Sequence, residues 1–325
     1  MPPVAAPRHY VCSMRARLIA AFAAVYIVWG STYLAIRFAV ETLPPLLMAG
    51  ARFAIAGGIL MLWSRVYARD KAPTRLDWRT GLVSGGLLLV GGNGCVVWAE
   101  QRVPSGITAL LVAVVPVWMV LIDWLRPRGR RPHAFVFIGL ALGLGGLALL
   151  VGPGATSGND RGYAGGALVL VLASLSWAAG SLYTQHAPKA SSGMNGAATQ
   201  MVAGGGLLVL AAVITGELAH LDLARATTRS LVAFLYLVTF GSLVGYTAYI
   251  YLLSHTTAAK ASTYAYVNPV VAVFLGWALA HEPVTQRTFV AAAVILAGVA
   301  IITVARDPQP RAVSATTQTA SDVTA

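Results

Sequence analysis

Aromatic and polar side chains recur at helical spacing in an apolar segment near the amino terminus. In YIVWGSTYLAIR, residues 26–37, the residues Tyr26, Trp29, Tyr33 and Arg37 are three or four positions apart and therefore share one face of a helix. Hydroxyl and guanidinium groups are costly in lipid, so such a face normally points into a bundle or a water-filled cavity. The face predicts ligand binding through aromatic contacts and hydrogen bonds. Hydrogen bonding between helices without a ligand is the alternative.

Side chains of the same kinds occur in several later apolar segments. Tyr246 and Tyr249 share a helix face with Ser242, and AYVNPVVAV (265–273) places an amide beside a proline in the middle of a segment. We therefore predict a central cavity in which aromatic rings supply contact area and a few polar groups orient a substrate. The candidate substrate-binding residues are Trp29, Tyr33, Arg52, Asn93, Trp177, Ser181, Tyr246, Tyr249, Tyr264 and Asn268.

Basic residues and prolines inside the apolar segments suggest how the cavity recognises a substrate and moves. Arg52 would either clamp a carboxylate through two hydrogen bonds or bond to carbonyl groups of a neighbouring helix. Pro116 and Pro269 are predicted to break their helices at matching places, which favours a hinge. Arg37, close to a helix end, is predicted to reach the lipid headgroups and to take part in gating.

The other ionisable residues are predicted near helix ends. Glu100, Asp123 and Lys260 lie at predicted helix ends, which favours topological or interfacial roles over substrate contacts, and Glu282 in HEPV is predicted at a helix end or gate. No Asp or Glu is predicted at the membrane centre. The sequence therefore offers no evident proton carrier.

Composition determines the elements that must position these residues. Of 325 residues, 57% are hydrophobic and only 10% are charged, against about 25% charged in soluble proteins. We predict an all-α integral membrane protein in which ten apolar segments of about 20 residues each span the bilayer. The predicted spans are 18–38, 45–64, 80–99, 104–123, 134–152, 164–184, 197–215, 231–252, 260–280 and 287–305.

Other classes of protein are disfavoured. Cys12 and Cys95 lack the spacing of a metal site, and His255 and His281 lie at predicted helix ends without the partners that an enzyme needs. No catalytic residue, metal site or cofactor is therefore expected. Basic clusters such as RPRGRR (126–131) lie between apolar segments, where they set topology, so no nucleic acid partner is expected.

The distribution of basic residues predicts how the chain is oriented in the membrane. Sixteen Lys and Arg residues fall in the tails and loops on one side, and five fall on the other side. Because cytoplasmic loops carry the excess of Lys and Arg, both termini are predicted to be cytoplasmic. Residues 1–17 and 306–325 are the predicted cytoplasmic tails, and the second is predicted to be disordered.

The halves 18–152 and 164–305 are related in sequence. A shift of 148 residues aligns the earlier part of the halves, and a shift of 153 aligns the later part. The aligned pairs include Trp29 and Trp177, Arg52 and Gln200, Gly92 and Gly245, Asn93 and Tyr246, and Pro116 and Pro269. Each half holds five predicted spans, an odd number, so the second half must enter the membrane from the opposite side. We predict two inverted five-helix repeats.

Three stretches resemble the drug/metabolite transporter superfamily, specifically the YedA-like exporters with two EamA domains. They are VWGSTYLAIRFAVETLPPLLMAGARFAIAGGILML (28–62), WAEQRVPSGITALLVAVVPVWMVLIDWL (98–125) with RGRRP (128–132), and AAKASTYAYVNPVVAVFLGWALAHEPVT (258–285). The resemblance implies ten helices, cytoplasmic termini and efflux of small metabolites. The Gly-Glu pair that ends the fourth helix of many EamA repeats is replaced by RPRGRR and AHEPV, which leaves the role of Glu282 open.

We therefore expect a secondary transporter of a bacterial inner membrane. It would export amino acids, their derivatives or amphiphilic drug-like compounds by alternating access, with the substrate and the lipid bilayer as its partners. A membrane channel for small polar solutes is the alternative, because it too would have a polar lining.

Overall fold

The computed structural model describes residues 8–126, 134–151, 160–188 and 192–305. Within these ranges the regular structure is helical, and the helices are labelled here in chain order. They are α1 (Arg8–Ala39), α2 (Pro45–Val66), α3 (Arg75–Ala99), α4 (Ser105–Leu125), α5 (Ala134–Val151), α6 (Asp160–His186), α7 (Gly193–Ile214), α8 (Thr228–His255), α9 (Tyr264–Ala280) and α10 (Gln286–Ala305). Shorter helical turns at Glu217–His220, Leu223–Arg225 and Ala258–Ala261 lie in the connections.

Seven of the helices within the described ranges, α1 to α4 and α6 to α8, are long and apolar enough to cross a membrane. The apolar stretches of α5, α9 and α10 are shorter, at 10–17 residues each. The all-helical class predicted from composition is confirmed.

Helix α1 begins earlier than predicted. It starts at Arg8, whereas the first span was predicted from residue 18 and residues 1–17 were predicted as a tail. Residues 8–17 contain neither glycine nor proline, and several of them favour helix, so nothing in this stretch ends the helix. The carboxy-terminal tail predicted at 306–325 lies outside the described residues.

Local sequence signals set where several helices begin. Pro44 and Pro45 precede and open α2, where the missing N–H groups of proline cost nothing. Thr74 and Asp77 form a capping box at the start of α3, each side chain accepting a hydrogen bond from the other residue's backbone N–H. Ser192 caps α7 by accepting a hydrogen bond from the backbone N–H of Asn195.

Helices α2 and α7 cross with their backbones in close contact through glycines. A Cβ atom on Gly205 would lie 2.6 Å from the backbone nitrogen of Ala54, and one on Gly57 would lie 2.8 Å from that of Val202. The two contacts correspond between the halves, because the shift of 148 residues aligns Gly57 with Gly205 and Ala54 with Val202. Small residues allow this approach, as in other membrane helix pairs.

The remaining helix contacts also form related pairs. Helix α1 packs against α9 and α8, and its counterpart α6 packs against α4 and α3. Helix α2 packs against α7, and α5 packs against α10. Exchanging each helix for its counterpart in the other half therefore turns the contacts of α1 into those of α6 and leaves the α2–α7 and α5–α10 contacts unchanged.

Acidic residues in two connections tie the start of one helix to the other half of the chain. Glu217 accepts a hydrogen bond from the backbone N–H of Leu47 at the start of α2, with an N–O distance of 3.0 Å. Asp70 accepts hydrogen bonds from the hydroxyl groups of Ser64 (2.7 Å) and Ser192 (2.5 Å), beside the start of α7. These two hydrogen bonds lower the pKa of Asp70, and the bond from Ser192 has the larger effect.

The two prolines predicted to break helices differ. Helix α4 is interrupted at Ala113 and Val114 and resumes at Val115, so the interruption ends one residue before Pro116. Pro269 instead lies inside the continuous helix α9, so the expectation of matching breaks is wrong. In the second half the interruption comes earlier, at Ser262 and Thr263, where the chain turns before α9 begins.

Candidate functional site

A central cavity lies between helices of both halves. Its lining comes from α1, α2, α3 and α4 of the first half and from α6, α8 and α9 of the second half. The lining residues are Trp29, Thr32, Tyr33, Ile36, Arg52, Phe53, Gly92, Asn93, Val96, Val112, Ala173, Trp177, Gly241, Tyr246 and Tyr264. The cavity therefore combines aromatic rings with a small number of polar groups, as small-molecule sites usually do.

Trp29 lies at the centre of an aromatic cluster in the cavity wall. Its ring centroid is 5.4 Å from that of Trp177, 4.9 Å from that of Tyr249 and 5.3 Å from that of Tyr264. The rings of Trp177 and Tyr264 meet Trp29 edge to face, an arrangement that the aromatic quadrupole favours. The indole N–H of Trp29 donates to the backbone oxygen of Gly241 at 3.2 Å, which fixes the ring plane.

Each of these tryptophans packs on a glycine of the third helix in the other half. Trp29 lies over Gly245 in α8, and Trp177 lies over Gly92 in α3. A Cβ atom on Gly92 would lie 2.7 Å from a ring carbon of Trp177. The sequence alignment pairs the two tryptophans and the two glycines, so the contacts correspond between the halves.

Two polar pairs also correspond between the halves. An Arg52 Nη donates to the side-chain oxygen of Asn93 at 2.9 Å, and the Tyr246 hydroxyl donates to that of Gln200 at 2.8 Å. The alignment places Arg52 on Gln200 and Asn93 on Tyr246. The second and third helices of each half therefore carry a buried hydrogen bond at one common place, but only the first half has a charge there.

Arg52 keeps free donors at the cavity. Its side chain is 3% exposed, and the other Nη and the Nε have no hydrogen-bond partner among the described residues. The guanidinium carbon lies 4.3 Å from the ring centroid of Phe53. Buried donors without partners cost free energy, and a bound anion would supply the missing acceptors.

Three predicted binding residues do not line the cavity. Ser181 and Tyr249 form a hydrogen bond of 2.6 Å behind it, and the indole N–H of Trp177 donates to the Tyr249 hydroxyl at 3.3 Å. This arrangement makes them positioning residues for Trp177. Asn268 is 2% exposed, and its amide atoms have no hydrogen-bond partner among the described residues.

Sequence reasoning missed the apolar and backbone part of the cavity. Phe53, Val96, Val112 and Ala173 contribute lining, but nothing distinguishes them from other apolar residues in the sequence. The π-helical segments Gly86–Gly94 and Leu237–Tyr246 were missed as well. These segments carry the paired glycines and the residues at positions 93 and 246. Such π-turns are frequent at functional sites because they redirect side chains.

Two charged residues, Arg37 and Glu100, meet at the end of α3. One Nη of Arg37 donates to the backbone oxygen of Glu100 at 2.9 Å, so Arg37 ties α1 to the end of α3 in addition to any contact with headgroups. Glu100 follows α3 as predicted, and its exposure is 0%, a burial that its position in the sequence did not indicate.

Glu282 lies at a helix end, as expected, and caps a second helix. Its two carboxylate oxygens accept hydrogen bonds from the backbone N–H groups of Ser105 (2.8 Å) and Gly106 (3.1 Å) at the start of α4. The carboxylate satisfies two of the otherwise free donors at that helix start and complements the helix dipole. Glu282 therefore ties the connection between α9 and α10 to the first half.

Comparisons with known proteins place both halves in one family. The model of the EamA-like transporter family matches residues 16–152 and again residues 164–304. The uncharacterized inner membrane transporter YedA of Escherichia coli K12 is 39% identical over 290 residues, which is 89% of this chain and 91% of YedA.

More distant proteins are similar over comparable lengths. The uncharacterized transporter YoaV of Bacillus subtilis is 24% identical over 85% of this chain and 92% of its own length. A solved crystal structure with 19% sequence identity covers 89% of this chain and 97% of that chain with a TM-score of 0.64. At that identity, the structural likeness concerns the fold alone.

Proposed function

The chain belongs to the EamA-like transporter family, and we propose that it is a carrier that exports small carboxylate-containing metabolites, such as amino acids or their derivatives, across a bacterial inner membrane. The observation that carries the substrate class is the pair of free donor groups of Arg52 at the wall of an aromatic cavity. A substrate carboxylate would accept both donors in a bidentate contact. Its apolar body would pack against Trp29 and Tyr246.

Alternating access between two inverted repeats is the proposed mechanism. The exchange of helix contacts between the halves supports it, because an inverted repeat lets each half adopt the conformation of the other. The paired contacts of Trp29 with Gly245 and of Trp177 with Gly92 support it at the cavity itself. In this proposal α5, α9 and α10 also cross the membrane, which gives ten spans. The interruption before Pro116 supplies a hinge; Pro269 and Arg37 are proposed to take part in gating.

Location and topology are proposed from two independent observations. YedA, to which this chain is similar over nearly its whole length, is named an inner membrane transporter. The excess of Lys and Arg in alternate connections supports cytoplasmic termini. Membership of a transporter family favours transport over catalysis, so no enzymatic activity is proposed.

A matched pair of tryptophan variants tests the location of the site. We expect Trp29→Ala to slow efflux of labelled phenylalanine from loaded proteoliposomes about tenfold, because the loss of aromatic contact is worth about 1.4 kcal/mol. Trp63→Ala is the control, since Trp63 lies on the outer face of α2 with its side chain 53% exposed. Insertion and folding of each variant are checked by size-exclusion chromatography. Equal efflux from folded Trp29→Ala and wild-type protein would rule out the assigned site.

The substrate class is tested in the same vesicles. Labelled threonine, phenylalanine and a cationic dye are compared, and efflux of an amino acid but not of the dye is expected. Efflux of the dye alone would contradict the carboxylate assignment and favour an amphiphilic cation.

A further inference from the structure

Glu100 is a buried carboxyl group that the proposed transport cycle leaves without a role. It lies in the turn after α3, its exposure is 0%, and neither carboxylate oxygen has a hydrogen-bond partner among the described residues. Burying an unpaired carboxylate costs several kcal/mol even after relaxation, and a neutral acid avoids most of that cost. The surroundings of Glu100 in this conformation therefore favour the protonated acid.

Glu100 continues the cavity face of α3. Asn93 and Val96 line the cavity, and Glu100 follows Val96 by four residues, so the three share one side of the helix. Arg37 holds the backbone oxygen of Glu100 from α1, the helix that also carries Trp29 and Tyr33. The backbone of Glu100 is thus hydrogen-bonded to a helix that lines the cavity.

Charged and titratable groups face this region from several elements. Arg37 and Arg52 favour a negative charge on Glu100, whereas Glu282 opposes it. Tyr33 on α1 interacts electrostatically with Glu100. Arg102, two residues beyond Glu100, stacks on Trp98, and Tyr163 on α6 interacts with Arg287.

Arg52 interacts with both Glu100 and the cavity. When Glu100 is ionised, its negative charge offsets the positive charge of Arg52 and opposes a second anion. When Glu100 is protonated, Arg52 keeps its full attraction for an anion in the cavity. Proton binding and carboxylate binding must then favour each other equally, because linkage is reciprocal.

We propose that Glu100 is a proton-binding site that holds its proton more tightly when a carboxylate ligand binds Arg52. A hydronium ion of the aqueous phase gives up one proton and becomes water, and that proton forms an O–H bond with one carboxylate oxygen of Glu100. Proton and substrate are therefore bound in the same state of the protein, the proton at the buried Glu100 and the substrate at Arg52 in the cavity wall. The proton site depends only on the surroundings of Glu100, whereas its link to a ligand rests on the proposed function.

An infrared titration of the purified full-length protein tests the proton site without any substrate. The carbonyl stretching band of a protonated carboxyl group is followed against pH in the wild type and in Glu100→Gln, Glu41→Gln and Arg52→Gln. Glu41→Gln is the matched control because Glu41 is partly exposed and 3.7 Å from Arg229. Size-exclusion chromatography establishes that each variant is folded.

We expect a buried-acid band that Glu41→Gln retains and Glu100→Gln lacks. Arg52→Gln should move the midpoint of its titration upward by about one pH unit, because a nearby positive charge favours the ionised carboxylate. A band that persists in Glu100→Gln, or a midpoint unchanged in Arg52→Gln, would overturn the proposal. If Glu100→Gln does not fold, Glu100→Asp is used instead, and a change in the frequency of the band identifies the residue.

Calorimetry tests the link to the ligand. Phenylalanine and phenylalaninamide are titrated into the protein in two buffers with different protonation enthalpies, near the pH of the infrared midpoint. When phenylalanine binds, the wild-type protein should take up a fraction of a proton and Glu100→Gln should take up none. Binding of phenylalaninamide should cause no proton uptake by either protein. Proton uptake of zero in the wild type, or equal uptake in Glu100→Gln, would overturn the link. If phenylalanine does not bind, the proposed substrate class is wrong, and the infrared titration alone decides the proton site.

Discussion

Replacing Arg52 by glutamine should weaken phenylalanine binding about 100-fold. Removing one partner of a buried charge pair typically costs 2–5 kcal/mol, and a 100-fold loss corresponds to about 2.7 kcal/mol. Glutamine is a suitable replacement because Gln200 occupies the equivalent position in the second half and is also buried there. The measurement is the dissociation constant from calorimetry or from quenching of tryptophan fluorescence.

Two controls separate a carboxylate contact from general damage to the site. Arg229→Gln removes one positive charge from a half-exposed residue that lies near Glu41 and should leave the affinity unchanged. Phenylalaninamide, which lacks the carboxylate, should bind Arg52→Gln and wild-type protein with similar affinity. A comparable loss for both ligands would mean that Arg52 supports the structure of the cavity and does not bind a carboxylate.

Replacing Gly205 by valine should prevent formation of a stable bundle. A Cβ atom at this position would lie 2.6 Å from the nitrogen of Ala54 and 2.9 Å from the oxygen of Gly50. These are backbone atoms of α2, so the clash is relieved only if the two helices separate. Overpacking costs 1–3 kcal/mol where side chains can adjust, and a larger loss is expected where they cannot.

The adjacent residue supplies a matched control. Among the described residues, a Cβ atom on Gly206 would meet no atom within 4 Å, and valine has the same effect on helix propensity at either position. We expect Gly205→Val to lose the monodisperse peak in size-exclusion chromatography and Gly206→Val to retain it. If Gly205→Val is folded and melts at the wild-type temperature, the close crossing of α2 and α7 is wrong.

The same glycines illustrate what sequence alone predicts. The alignment of AGGIL with GGGLL identifies two related small-residue segments. It does not reveal that Gly204 meets Leu89, that Gly205 meets α2 and that Gly206 meets nothing. Neighbouring residues on a helix point about 100° apart, so their partners depend on how the helices cross. The similarity of the two segments can be read from a few residues, whereas the way α2 and α7 cross depends on the packing of the whole helix bundle.

The candidate site could likewise be predicted only in part from the sequence. Helical spacing and the cost of polar groups in lipid were enough to find Trp29, Tyr33 and Arg52. Tyr264 and Asn268 are four residues apart on α9, yet only Tyr264 lines the cavity. The burial of Glu100 is a tertiary effect, because its position after an apolar segment would equally suit an exposed residue.

Counterflow in proteoliposomes tests the carrier mechanism most directly. Vesicles that contain purified protein are loaded with unlabelled phenylalanine and diluted into a trace of the labelled amino acid. A carrier that alternates between two sides should show transient accumulation of label above its equilibrium level, and the effect should saturate with substrate. Equilibration without accumulation, at a rate proportional to the gradient, would contradict alternating access and identify the protein as a channel.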